Sequence, residues 1–284
     1  MIEIIQYGIY TSIQDMGRFN YQSYGVPVSG AQDQQAYRIA NQILNNSLTS
    51  AVLEFTIKGP KIRFHQNTFI ALTGAKMKAK LNGVEVDYYD PIKVNEGSIL
   101  EMGIIQNGCR TYLAVCGGIK TEKILESRSQ FKGVTINDRI FKKTLLPIDN
   151  PIFNPSKGAR MISPSQDYSQ IELEVYTGPE FYKLSKIEKE NLFSTLFTIS
   201  NFNNRMAVRL KEKFKNEMSE IWTAPVIPGI VQCTSDGSLI ILMRDAQVTG
   251  GYPRILQLNN SSLNLLSQKN TEDKIRFKLL SRID

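Results

Sequence analysis

Short apolar runs, each closed by Gly, Asn, Asp or Pro, recur along almost the whole chain, and this pattern restricts the fold more than any other feature. Residues 2–6, 52–57, 69–72, 99–102, 111–115, 172–177, 238–243 and 275–279 all read as strands bounded by turn residues. Helical spacing is confined to a few places. Ser29 with Gln32 makes a capping-box pattern, and Ala36, Ile39, Ala40, Ile43 and Leu44 then fall on one helical face. Ser185 and Glu188 open a second, shorter candidate running through Leu192 and Phe193. The expectation is a mainly β protein with a few short helices.

The chain has 284 residues, enough for two domains, and its 42% apolar content is enough to fill real cores. A break falls at about 145–170, where Pro147, Pro151 and Pro155 remove backbone donors and block helix. The expected division is therefore 1–150 and 151–284. The two halves echo each other: Leu53-Glu54-Phe55 leads to Gly59-Pro60, and Leu173-Glu174-Val175 leads to Gly178-Pro179.

Composition excludes several function classes. The net charge of +7 is spread out, and the alternating Lys76, Lys78 and Lys80, like Lys211, Lys213 and Lys215, read as solvated faces; no nucleic-acid motif accompanies them. Cys109, Cys116 and Cys233 are odd in number and lack a spacing pattern, which suits a reducing cytoplasm rather than a disulfide framework. The first residues do not form a signal peptide, and no apolar run reaches the roughly 20 residues of a membrane helix. A single histidine, His65, sits where a strand enters a turn. A histidine-rich metal site is thereby excluded, and no metal is expected. Chemistry on this chain has to use carboxylates, amides, hydroxyls, arginines and backbone N–H groups.

Two polar segments concentrate such groups. After the apolar run 239–243 the chain reads Asp245-Ala246-Gln247-Val248-Thr249-Gly250-Gly251-Tyr252-Pro253. Glycines there allow positive φ and close approach of a ligand. Successive N–H groups form an oxyanion-binding loop in one reading; in the other the segment is a hairpin turn with a packing Tyr252. Near the start, Gln14-Asp15-Met16-Gly17-Arg18 reads either as an arginine oriented by Asp15 to hold an anion, or as an Asp-stabilised turn with a surface Arg18. Residues 29–33 form either a helix N-terminus aimed at an anion or an ordinary cap, with Asp33 favourable in both. Arg205 reads either as a further anion contact or as an ordinary exposed arginine. Lys76-Met77-Lys78 lacks the flanking residues of a biotin attachment site, so no covalent biotin is expected on this chain. There is no Walker A loop.

Taken together, these segments resemble the biotin-dependent carboxyltransferase or allophanate hydrolase subunit 2 family along nearly the whole chain. The matching stretches are 11–18, 25–33, Asn41, Leu53-Glu54, Gly59-Pro60, 72–75 and 112–119 in the first half. In the second half they are Gly178-Pro179, Arg205-Met206, 228–232, Asp236-Gly237 and 245–253. Three stretches depart from the family pattern: Glu126-Ser127-Arg128-Ser129-Gln130 replaces Gly-Ser-Arg-Ser-Thr, Asn203-Asn204-Arg205-Met206-Ala207 replaces Ser-Asp-Arg-Met-Gly, and Val248 replaces a threonine.

The resemblance implies two tandem cyclophilin-like β-barrel domains. It also implies one component of an ATP-dependent, 5-oxoprolinase-like assembly that opens a small cyclic amide, 5-oxoproline, to glutamate. ATP then belongs to the complex. The implied partners are a subunit 1 protein, similar to the Kip inhibitor and to the B-type component of 5-oxoprolinase, and an A-type component. On this reading Asp245, Thr249 and Gln232 are catalytic. Gln14, Asp15, Arg18, Asp33, Arg205, Gln247, Gly250, Gly251 and Tyr252 bind substrate. The alternatives are a regulatory protein of the Kip antagonist type, which sequesters a histidine-kinase inhibitor, and a carboxyltransferase acting on urea or a related amide.

Overall fold

The computed structural model describes residues 1–149 and 167–280. They form two compact units: the first is built from Met1–Arg18 and the chain from Ser29 onward, and the second from Phe19–Val28 and the chain from Asp167 onward. Most of the expected boundary at 145–170 lies outside the described residues.

The first unit is a curled nine-stranded sheet. Its main path runs Tyr10–Gln14, Val52–Thr56, Ile99–Val115, Lys61–Phe64, Ile2–Gln6 and Leu145–Leu146. Thr68–Leu81 pairs with Ile99–Val115 and carries Val84–Glu85 and Ile92–Val94 on its other edge. One face encloses an apolar core that includes Ile2, Leu53, Phe55, Phe64, Leu72 and Leu113.

The expected strands 99–102 and 111–115 are one continuous strand. The residues between them look like breakers in sequence but are accommodated by register shifts between Gly74 and Ala79 of the paired strand, where the ladder bends without ending. Lys76, Lys78 and Lys80 are exposed there, while Met77 and Ala79 between them are buried. The alternation is that of a strand with one solvated face.

Helix α1 (Gln34–Ile43) covers the other face of this sheet. It buries Ala36, Tyr37 and Ala40 against Val52, Ala71, Tyr112 and Ala114. Its cap is Asp33 rather than Ser29: the Asp33 carboxylate accepts the Gln35 and Ala36 N–H groups. Ser29 lies outside the helix at φ 58°.

The second unit is a closed seven-stranded barrel. The order is Glu172–Thr177, Arg254–Leu258, Ile230–Cys233, Ser238–Leu242, Ala207–Lys213, Phe197–Asn203 and Lys274–Leu279. The ring closes where Lys274–Leu279 pairs in parallel with Glu172–Thr177. Leu173, Val175, Phe197, Ile241, Ile255 and Phe277 fill it.

Helix α2 (Lys186–Ser194) starts on the expected capping box of Ser185 and Glu188. Helix α3 (Asn260–Ser267) was not legible, since Asn and Ser residues are poor helix formers. It forms because Asn259 caps it and because Leu263 and Leu266 join the barrel core. Among the described residues, no helix is long and apolar enough to cross a membrane.

Candidate functional site

In the first unit, strand register lines up a polar row. Ser12 lies opposite Glu54, Glu54 opposite Tyr112, and Tyr112 opposite Thr73. The two-residue period of a strand puts all four on the face beneath the start of α1. Glu54 is completely buried. Its Oε2 accepts the Tyr112 hydroxyl at 2.9 Å and the Gln32 N–H at 2.9 Å, and its Oε1 is 3.8 Å from Arg110 Nε. The Tyr112 oxygen accepts the Asp33 N–H at 2.7 Å, and the Thr73 hydroxyl donates to the Ala36 carbonyl at 2.8 Å. Burial, reinforced by the Glu54 and Asp33 charges, pushes the Tyr112 phenol well above its ordinary range. Sequence reasoning did not select these residues as site residues. The available signal was a carboxylate in the middle of Val52-Leu53-Glu54-Phe55, a run too apolar for a solvated Glu.

Asp15 is a hydrogen-bond hub beside this row. Its carboxylate accepts the Gly17 N–H at 2.8 Å, the Ser127 and Ser129 hydroxyls at 2.6 Å each, and the Arg128 N–H at 2.6 Å. Asp15 therefore fixes residues 127–129, which sequence reasoning did not select as site residues. Arg18 is fully buried, not a surface arginine, and its Nη2 donates to the Ser129 carbonyl. Gln14 is buried too; its Nε2 donates to Ser12 Oγ at 3.0 Å and to the Gln130 carbonyl at 3.3 Å. Asp33 is spent on capping α1, so a carboxylate already occupies the helix N-terminus that was read as a possible anion site.

In the second unit, Arg205 and Asp245 form a buried two-pronged pair: Nε to Oδ2 at 2.8 Å and Nη2 to Oδ1 at 3.0 Å. The Asp245 N–H also donates to the Arg205 carbonyl at 3.0 Å, which locks the two backbones together. Gln232 is buried at 1% exposure, and its Nε2 makes no hydrogen bond among the described residues. A Cβ on Gly250 would stand 2.5 Å from that nitrogen. Close approach therefore explains Gly250. The expected positive φ does not, since neither Gly250 nor Gly251 adopts one.

Thr249–Gly250 pairs with Ala224–Pro225 as a short ribbon, in which Thr249 is exposed and Gln247 and Tyr252 are half-buried. Beside it, Arg254 clasps Glu180 at 2.9 and 2.8 Å and donates to the Pro225 carbonyl at 3.0 Å. Hydrogen bonding from Arg254 holds the Glu180 carboxyl below the usual range. His65 is exposed and contacts Glu3 at 3.0 Å. No cluster of His, Cys, Asp and Glu able to hold a metal occurs among the described residues.

A curled sheet and a closed barrel, each burying amides, carboxylates and arginines, define a mainly β two-unit protein. The chain belongs to the carboxyltransferase domain family, subdomains A and B, whose model matches residues 24–279. It is 32% identical to the C subunit of 5-oxoprolinase from Escherichia coli K12, over 98% of this chain and 90% of that one. It is 28% identical to the C subunit of 5-oxoprolinase from Haemophilus influenzae, over 99% and 92%. The crystal structure of Kluyveromyces lactis urea carboxylase superposes with a TM-score of 0.90 at 29% identity, covering 99% of this chain but 27% of that one. The first two relatives are named as one part of a larger enzyme.

Proposed function

We propose that this chain is the C-type component of an ATP-dependent complex that opens a small cyclic amide, 5-oxoproline, to glutamate. The observation that carries this reading is reciprocal, nearly full-length similarity to the C subunit of 5-oxoprolinase. The partners in this reading are the B-type and A-type components. ATP is a co-substrate of the complex, and no residue here is assigned to it.

Opening an amide develops negative charge on the carbonyl oxygen and needs donors placed in a water-poor setting. Gln232 supplies a buried carboxamide for that oxygen. The exposed Thr249 hydroxyl and half-buried Gln247 and Tyr252 stand at the neighbouring ribbon for the rest of the substrate. Asp245, expected from the resemblance to be catalytic, takes a positioning part in this reading: its carboxylate is engaged by Arg205 and orients that guanidinium. In the first unit Asp15 and Asp33 hold backbone in place, while Arg18 and Gln14 are buried beside them.

The urea carboxylase match favours a second reading, carboxyl transfer to urea or a related amide. Co-expression with A-type and B-type proteins, followed by assay of glutamate release from 5-oxoproline with ATP, separates the two. Turnover that Gln232→Met lowers by about 10²-fold, with an unchanged thermal melt, is expected. A silent wild-type complex that instead carboxylates urea from a biotinylated carrier would replace the first reading by the second.

A further inference from the structure

The first unit carries a concavity that neither polar segment of the sequence touches. Strand Thr68–Leu81 shifts register against Ile99–Val115 three times between Gly74 and Ala79. Such shifts leave residues out of the ladder and re-aim their side chains. Two backbone donors there go to tyrosines: the Met77 N–H donates to the Tyr88 hydroxyl at 2.9 Å, and the Gly74 N–H to the Tyr89 hydroxyl at 3.0 Å. The Tyr89 N–H donates to the Leu72 carbonyl at 2.9 Å and the Val86 N–H to the Ala79 carbonyl at 3.1 Å. Residues 86–89 are thus strapped along the strand. Tyr89 is held buried at φ 65°, a backbone conformation that a bulky residue keeps only when its surroundings impose it.

A cavity of about 200 Å³ opens over this frame, and its lining includes Lys76, Lys78, Glu85, Asp87, Tyr88 and Gln106. It is smaller than the roughly 300–1,000 Å³ of sites for drug-sized molecules, which restricts its ligand to a small metabolite. Lys76, Lys78, Glu85, Asp87 and Gln106 are exposed, and none of the five makes a hydrogen bond or ion pair among the described residues. Opposite charges on neighbouring strands ordinarily pair across the sheet. Here two ammonium groups and two carboxylates line one cavity without meeting. Lys76 and Lys78 are two residues apart on a strand, so they leave the same face with about 7 Å between their origins. Burial pushes the Tyr88 phenol up to about 12, so at neutral pH it adds a hydroxyl and no third negative charge. Two cations against two anions favour neither a simple anion nor a simple cation. A ligand bearing both signs satisfies both rows at once.

We propose that this cleft binds a free amino acid as its zwitterion, with the carboxylate at Lys76 and Lys78 and the ammonium at Glu85 and Asp87. Gln106 adds a carboxamide that both donates and accepts. Contacts between exposed charges contribute little each, so the affinity expected is millimolar. The site lies apart from the ribbon at Thr249–Gly250 and stands whether or not the chain takes part in opening an amide.

The test is ligand-observed NMR on the full chain at about pH 7, with L-alanine as the probe. N-acetyl-L-alanine keeps only the carboxylate, and L-alaninamide keeps only the ammonium. Wild type is expected to bind alanine at least about 5-fold more tightly than either control. Lys76→Gln with Lys78→Gln, and separately Glu85→Gln with Asp87→Asn, are each expected to weaken alanine binding by about 5-fold with an unchanged thermal melt, while Lys93→Gln, an exposed lysine outside the cleft, leaves it as in wild type. No alanine binding at about 10 mM would overturn the proposal. So would equal binding of the two single-charge controls, or a loss in Lys93→Gln as large as in the cleft variants, since either would reduce the cleft to a general ionic surface. None of these probes is a substrate or product of the amide-opening reaction, so the result is independent of glutamate release by the assembled complex.

Discussion

Glu126 shows how a single residue can be legible in sequence while its meaning is not. It departs from a glycine in the family pattern, and the structure gives the reason that glycine suits the place. Leu125 and Glu126 adopt φ 51° and 63° between Ile124 and Ser127, whose backbones exchange hydrogen bonds at 2.8 and 3.3 Å. A two-residue turn with both central φ values positive favours glycine. Glu126→Gly is expected to stabilise the folded chain by about 1 kcal/mol, read as a higher urea midpoint with unchanged slope. The turn leads into Ser127 and Ser129, so the variant should also leave the Asp15 contacts intact. At the same scale, burial pushes the Cys233 thiol up to about 12. In the folded protein it should resist iodoacetamide at about pH 8 and react after unfolding in urea; rapid labelling of the native state would contradict this.

Among the elements, α2 was readable and α1 only partly so. The cap of α2 lies within four consecutive residues, Ser185 to Glu188, and a local pattern suffices. The start of α1 depends on Glu54 and Tyr112, which take the Gln32 and Asp33 amides from strands distant in sequence. No local motif carries that information, and the Ser29 capping-box pattern therefore misplaced the first turn. The site residues divide in the same way. The Asp245–Pro253 and Gln14–Arg18 segments stood out because polar residues and glycines cluster there. The Ser12–Glu54–Tyr112–Thr73 row was hidden because only register assembles it. Removing its centre should be costly: Glu54→Ala is expected to destabilise the protein by about 3 kcal/mol, since it strands two donors and leaves Arg110 without its carboxylate neighbour. Chemical denaturation measures this, and a loss under 1 kcal/mol (about the value of one ordinary hydrogen bond) would show that the row is not structural.

For the molecule as a whole, the density of turn-bounded strands was sufficient to indicate a β protein, and motif order was sufficient to indicate the family. The grouping of Phe19–Val28 with the second unit was not legible, because nothing in its composition distinguishes it from the flanking chain. Acid stability is also a property of the folded whole. Arg254 lowers the folded pKa of Glu180, so the stabilisation from this pair is complete above the ordinary glutamate value and is lost as pH falls through the depressed one. Glu180→Gln is expected to lower the melting temperature at neutral pH and to converge with wild type in acid. Parallel melting curves at every pH would argue against a role for the pair.

The parallel seam between Glu172–Thr177 and Lys274–Leu279 sets a timetable for making the protein. A ribosome delivers the first of these strands roughly a hundred residues before the second, a difference of several seconds at ordinary elongation rates. Glu172–Thr177 has no partner strand until Arg254–Leu258 is made, and the edges it shares with Phe197–Asn203 at the seam stay open until residue 279 leaves the exit tunnel. The second unit therefore has to finish folding after translation of Lys274–Leu279, whereas the described strands of the first unit's sheet, the last of them Leu145–Leu146, can pair while synthesis continues.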